Sequence, residues 1–370
     1  MKAGDEIGNR TLRVFVGFLT VGATASRKLD GVELRGSAKI RHRGGRGRTI
    51  ASAFSPPRER RVLRRRRTGG RRACENPSVQ RLGSGEPVLL FHGVMGSGRM
   101  WRDVAPLLGS DYEVIAPTAL GHSGGPPPLE RPVGIRHVVD AAERQMDELS
   151  LGSAHLVGNS MGGWMALELA RRGRAFSVCA MSPAGMWPSI GTASRPGANR
   201  LRQGLRMGRL TRPALPVLYR SRGVRQFALR NAAANGARVS REQTLQLTDD
   251  MLGCSIAEDI LATDEHFAPL DPGPCPITIA WCELDRIFPE GEFGARARER
   301  LPGARYVVLR KVGHVPMLDD PKLVAAVIRE SLAAATPAPA PTDGAVRAAG
   351  GGSLELPAEP GGAATSGPSA

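Results

Sequence analysis

The chain has 370 residues, is 41% hydrophobic with 4% aromatics, and carries a formal net charge of +16. That length allows one large domain or two ordinary ones, with apolar material for a sizeable core. Five scattered cysteines with no CxxC pair exclude a disulfide framework and a cysteine zinc site and fit a reducing compartment, and no apolar run reaches the roughly 18 residues a membrane span needs.

The basicity is local. Residues 1–81 carry 18 Arg and 3 Lys against 6 acids, and residues 186–248 carry 12 Arg against Glu242 alone. Those two blocks are +15 and +11, so the remainder is −10. The first block includes Arg64-Arg65-Arg66-Arg67 and has almost no apolar periodicity. Arginine clusters bind phosphates, but here they read as a solvated arm, and no specific nucleic-acid partner is expected. Near its start, Val14–Val21 followed by Ala23-Thr24-Ala25 has the outline of a signal peptide. Asp5 and Glu6 occupy the region that should be positive, however, and an Arg-rich tract follows. A cytoplasmic location is expected, with secretion as the alternative if residues 1–25 act as a leader.

Residues 82–334 alternate short apolar runs with helical patterns. The strands are expected at 88–91, 113–116, 154–158, 177–181, 277–282 and 305–309, each β-branched-rich or wholly apolar. Such runs suit strands buried on both faces. Helices are expected at 136–149, 161–172 and 322–333, the last behind Pro321 with Leu323, Val324, Val327 and Ile328 on one face. Alternation of this kind predicts an α/β fold, a mostly parallel central sheet covered by helices on both faces. Between Ser182 and Ile277 there is no strand signal, and the stretch at about 186–265 reads as an inserted helical lid. Residues 335–370, rich in Ala, Pro, Gly and Ser, read as a disordered tail.

The stretch "LVGNSMGGWMA" puts Ser160 in G-x-S-x-G between a strand and a helix. A serine there is forced into a strained turn that exposes its hydroxyl at the carboxyl edge of the sheet. Gly158 and Gly162 flank it because side chains would strike the neighbouring strand and helix. A hydroxyl needs a base, and the base needs an acceptor to orient it. In this architecture the order along the chain is Ser, acid, His. His314, in a Gly-containing loop after the last strand, is the expected base. Asp285, directly after the strand "ITIAWC", is the expected acid, with Glu283 the fallback. Asp271 lies on the wrong side of the sheet, and Asp319 and Asp320 look like the cap of the last helix. Two backbone N–H donors are needed for the oxyanion. Met161 supplies one and Val94, in "HGVMGSG", the other, while His92 reads as a structural loop residue.

The "GSGEPVLLFHG", "GNSMGG", "WCELDRIFP" and "GHVPMLDDP" segments, in that order, resemble the α/β-hydrolase superfamily over about residues 82–334. Serine at the elbow excludes the dehalogenase and epoxide hydrolase chemistries of members with an aspartate there. The resemblance implies a carboxylesterase or lipase-like serine hydrolase that needs no metal or organic cofactor. Carbon–carbon hydrolases of ring-fission products come second, because they carry a different oxyanion loop and a Trp where Val315 stands. A thioesterase and a non-catalytic binding protein of the same fold rank after these. Two departures stand out. Thr118 replaces the usual Asp after the second strand, predicting a locally different loop. The superfamily also begins with two more strands ahead of "GSGEPVLLF", and only "SVQRL" offers one. Much of residues 1–75 is therefore expected to be a mistaken start or a frameshifted translation. The substrate class implied is a small or lipid-like acyl ester. The arginine-rich lid reads first as a solvated helical surface; the alternative is attraction of an anionic ester, an acidic carrier protein or an anionic membrane surface.

Overall fold

The computed structural model describes residues 79–188 and 196–335. The readings made for the basic N-terminal zone through residue 78, the possible leader and the C-terminal tail lie outside the described residues.

Seven strands form one sheet among the described residues. They are β1 (Val79–Leu82), β2 (Glu86–Phe91), β3 (Tyr112–Pro117), β4 (Ala154–Asn159), β5 (Ala175–Met181), β6 (Ile277–Cys282) and β7 (Arg305–Leu309), in the order β1-β3-β2-β4-β5-β6-β7. Only β1 runs antiparallel, pairing Val79 to Pro117 at the edge; the rest are parallel. The six expected strands are all present, and the sheet begins at Val79, inside "SVQRL" and three residues before the expected domain start. All residues of β4 and β6 are buried, as parallel strands covered on both faces must be.

The helices are α1 (Ala105–Leu108), α2 (Ile135–Glu148), α3 (Met161–Arg171), α4 (Pro196–Thr211), α5 (Leu215–Leu218), α6 (Arg222–Ala228), α7 (Arg241–Leu252), α8 (Ala257–Ala262), α9 (Ala295–Arg300) and α10 (Pro321–Ala333). Helix α2 buries Ile135, Val138, Val139, Ala142 and Met146, the stripe an amphipathic helix turns to a core. Two apolar clusters result, one per sheet face. The first gathers α2, α3 and parts of the segment between β5 and β6, around Leu89, Leu156 and Trp164. The second packs α1 and α10 against Val88, Leu90 and Val157.

Helices α4 to α8, separated by turns, all lie between β5 and β6, and no strand occurs there among the described residues. Several arginines of this stretch have partners. Arg202 pairs with Glu258 at 2.9 Å and Arg212 with Asp249 at 2.6 Å. Arg225 is buried and donates to the carbonyls of Tyr219 (2.6 Å) and Val239 (2.8 Å). One reading needs correction. Asp320 alone caps α10, accepting from the Leu323 amide at 3.0 Å. Asp319 turns away from that helix to accept from the amides of Gly313 (2.8 Å), Ala234 (2.9 Å) and Asn235 (2.7 Å). Three convergent amides outcompete a single helix-end donor.

Candidate active site

The site assembles where β2, β4, β6 and β7 end, at the carboxyl edge of the sheet, the usual ligand side of such folds. Ser160 leaves β4 with φ 57° and ψ −117°, a left-handed conformation rare for a residue with a side chain. The strain is held on both sides. The Ser160 amide donates to Met181 O at 2.9 Å, and its carbonyl accepts from Ala184 at 2.9 Å. A Cβ on Gly162 would stand 2.2 Å from Phe91 O, and one on Gly158 would stand 2.1 Å from Gly162 O. Both glycines are therefore required by backbone contacts, with strand β2 and with the first turn of α3 respectively.

His314 and Asp285 meet. The imidazole Nδ1 lies 2.6 Å from Asp285 Oδ2, and Asp285 Oδ1 accepts from the amides of Ile287 and Phe288, each at 2.8 Å. The Asp285 side chain is wholly buried. With both carboxylate oxygens engaged, the tautomer that donates from Nδ1 to Asp285 is the one this geometry favours, and it leaves Nε2 with its lone pair. Glu283, the fallback acid, instead accepts from Arg310 and the Lys311 amide, away from His314. Ser160 joins through its neighbours: Asn159 Nδ2 donates to His314 O at 2.8 Å. Phe288 sets its edge against the imidazole at 5.2 Å between centroids and lines the same pocket as Ser160. No hydrogen bond joins Ser160 Oγ to His314 among the described residues; contacts of this kind tighten when substrate engages.

Val94 and Met161 line that pocket with Ser160. Met161 opens α3, so its amide has no acceptor within the helix. The turn carrying Val94 is closed by Gly96 N–H to Gly93 O at 3.1 Å, with Met95 at φ 64°. His92 anchors the turn. Its Nδ1 lies 2.8 Å from Gly93 O, and its Nε2 accepts from the Ala119 amide at 3.0 Å. Burial lowers its pKa to about 4, so it is a neutral brace. Thr118 accepts from the Gly98 amide at 3.2 Å. The buried thiols compete poorly as nucleophiles, since burial pushes Cys254 up to about 11 and Cys179 up to about 12.

The pocket is a small cavity of about 50 Å³. Its walls are aliphatic and aromatic, with Trp164, Trp187, Leu201, Ile260 and Ile287 prominent, and its polar residues are Ser160 and Thr263. Among the described residues, no charged side chain lines it.

A family model described as the alpha/beta hydrolase family matches residues 88–327. The chain belongs to the alpha/beta hydrolase family. Within that family it is 32% identical over 213 residues to the epoxide hydrolase EphH of Mycobacterium tuberculosis, covering 52% of this chain and 91% of that protein. It is 26% identical over 257 residues to a pimeloyl-[acyl-carrier protein] methyl ester esterase of Aeromonas hydrophila, covering 66% and 94%. Among solved structures, a thermophilic esterase from Thermogutta terrifontis aligns with a TM-score of 0.51 at 24% identity, over 70% of this chain and 93% of that one. At that identity the likeness establishes the fold. Among the described residues, no helix of this alpha/beta hydrolase is long and apolar enough to cross a membrane.

Asn159, Asp250 and Asp319 are the residues that sequence reasoning missed. Asn159 lies inside the quoted elbow motif, and Asp319 was visible only as a cap. Nothing local distinguishes Asp250 from the adjacent Asp249.

Proposed function

We propose that this alpha/beta hydrolase cleaves carboxylic esters of uncharged, apolar acids through an acyl-enzyme on Ser160. The observation that carries the reading is the Asp285–His314 pair, whose imidazole packs against Phe288 in the wall of the apolar pocket that Ser160 also lines. Ser160 Oγ attacks the ester carbonyl while His314 Nε2 takes its proton, and Asp285 stabilises the imidazolium. The amides of Val94 and Met161 receive the oxyanion. Collapse of the tetrahedral intermediate expels the alcohol, which takes the proton from His314. Water, deprotonated by the same nitrogen, then releases the acid and restores Ser160.

The pocket's chemistry ranks the competing reactions. A relative that is 34% identical over 115 residues is a 2-hydroxy-6-oxo-6-phenylhexa-2,4-dienoate hydrolase. A dienoate carries a carboxylate, and among the described residues no cationic side chain lines this pocket to receive one. The likeness to an epoxide hydrolase supports a second reading. Attack of Ser160 on an epoxide would leave an ether that water does not cleave, so turnover would have to use water activated directly by His314.

One experiment separates these. Pre-steady-state hydrolysis of p-nitrophenyl butyrate should show a burst of p-nitrophenol that disappears in Ser160→Ala. Diol formation from styrene oxide that survives Ser160→Ala, with no ester burst in the parent, would replace the ester reading with the epoxide one.

A further inference from the structure

Among the described residues only two carboxylates are buried, Asp285 and Asp250. An ionised carboxylate is expensive to bury unless its oxygens are hydrogen-bonded. Asp285 meets that requirement at the site; Asp250 meets it from the helical insertion. On α7, Asp250 is 1% exposed, accepts the Ser97 hydroxyl at 2.7 Å through Oδ2 and takes the Arg99 guanidinium on Oδ1. Ser97 is equally buried and ends the turn that bears Val94. Next to it, Gly98 is tied to Thr118.

That turn needs holding. Met95 sits at φ 64°, a conformation that persists only when surrounding structure over-determines it. His92 secures the near end. The far end is secured by Asp250. We infer that Asp250 is a positioning residue: by clamping Ser97 and Arg99 it holds the strained turn so that the Val94 amide faces the developing oxyanion. The insertion thereby sets the rate of the chemical step without touching substrate through this residue. The inference rests on the ester-cleaving reading above.

The test compares Asp250→Ala, Asp250→Asn and Ser97→Ala with the parent full-length protein, using p-nitrophenyl butyrate turnover and inhibition by an alkyl trifluoromethyl ketone. Such a ketone adds to the serine and develops an oxyanion. A misaimed donor costs on the order of 10- to 100-fold, so Asp250→Ala and Ser97→Ala should lose that much in kcat with KM changed less than about twofold. Ketone affinity should fall by a similar factor. Asp250→Asn, which still offers Ser97 an acceptor, should lose less. Combining Asp250→Ala with Ser97→Ala should be no worse than the first alone, since both break one contact. Unchanged kcat, additive losses, or a loss of kcat with full ketone affinity would each overturn the inference. If Asp250→Ala does not fold, the near-isosteric Asp250→Asn and Ser97→Ala decide it by the same readouts. A parent enzyme with no ester burst would remove the ester reading itself and this inference with it. Variants that match an active parent would remove only the role of Asp250.

Discussion

The side-chain amide of Asn159 donates to the backbone carbonyl of His314 at 2.8 Å, and the same nitrogen lies 3.2 Å from Met181 O. The residue before Ser160 thus ties down the backbone of the residue proposed as its base. Strands β4 and β7 are not neighbours in the sheet, so this bond sets a distance that strand pairing does not. Both partners are carbonyls, which fixes the orientation of the amide.

Removing that tie should damage catalysis more than binding. Asn159→Ala is expected to lower kcat about 10- to 100-fold, from misplacement of His314, with KM nearly unchanged. Stability should fall by roughly 1–3 kcal/mol, because buried carbonyls lose their donor. Steady-state kinetics with urea unfolding checks both. An Asn159→Ala enzyme with parental kcat would deny the bond any part in placing the base.

Asp285 holds the imidazole tautomer, and its other oxygen holds two amides. An amide side chain there must present its NH2 either to His314 Nδ1 or to the amides of Ile287 and Phe288. Asp285→Asn is therefore expected to cut kcat by about 10³- to 10⁴-fold. Glu283→Gln, two residues away and bonded to Arg310, should stay within about twofold of the parent. Equal losses in the two variants would point to the loop as a whole.

The elbow glycines differ sharply from glycines elsewhere. A Cβ on Gly162 would overlap the Phe91 carbonyl at 2.2 Å, whereas one on Gly152 meets nothing within 4 Å. Gly162→Ala should destabilise by more than about 3 kcal/mol or fail to fold, and Gly152→Ala should be neutral or slightly stabilising. Thermal melts of the two proteins test this directly.

Acid should weaken the fold through two buried rings. His92 and His122 pack edge to face at 4.9 Å. Burial lowers His92 to about 4; burial, then the neighbouring His92, lowers His122 to about 3. Their ordinary value is 6.5, so below that pH the unfolded chain takes up protons that the folded protein refuses. Stability is then full above pH 6.5 and is lost as pH falls towards 4. Melting temperature measured from pH 7.5 to 4.5 should decline, and His122→Phe should flatten the decline. A parent curve that stays level across that range would contradict the account.

Much of this protein is determined by sequence alone, because the underlying physics is local. Buried parallel strands must be short and apolar, and β6 has the bounds its composition predicts. The crowding that demands glycine on both sides of Ser160 acts within one turn of chain. The order of Ser160, Asp285 and His314 follows from the same architecture, and the structure brings the last two together at 2.6 Å. Other features were decided only by tertiary structure. Asp249 and Asp250 are adjacent and chemically identical, yet one pairs with Arg212 at the surface and the other is buried against Ser97, 153 residues away in the chain. Asp319 reads as a helix cap, but folding brings amides from 84 and 85 residues away to it. Which arginines between β5 and β6 pair inside the fold is likewise set by packing, as Arg202, Arg212 and Arg225 show with their partners. A charged side chain takes its role from what packs against it, and local sequence does not encode contacts made across the whole domain.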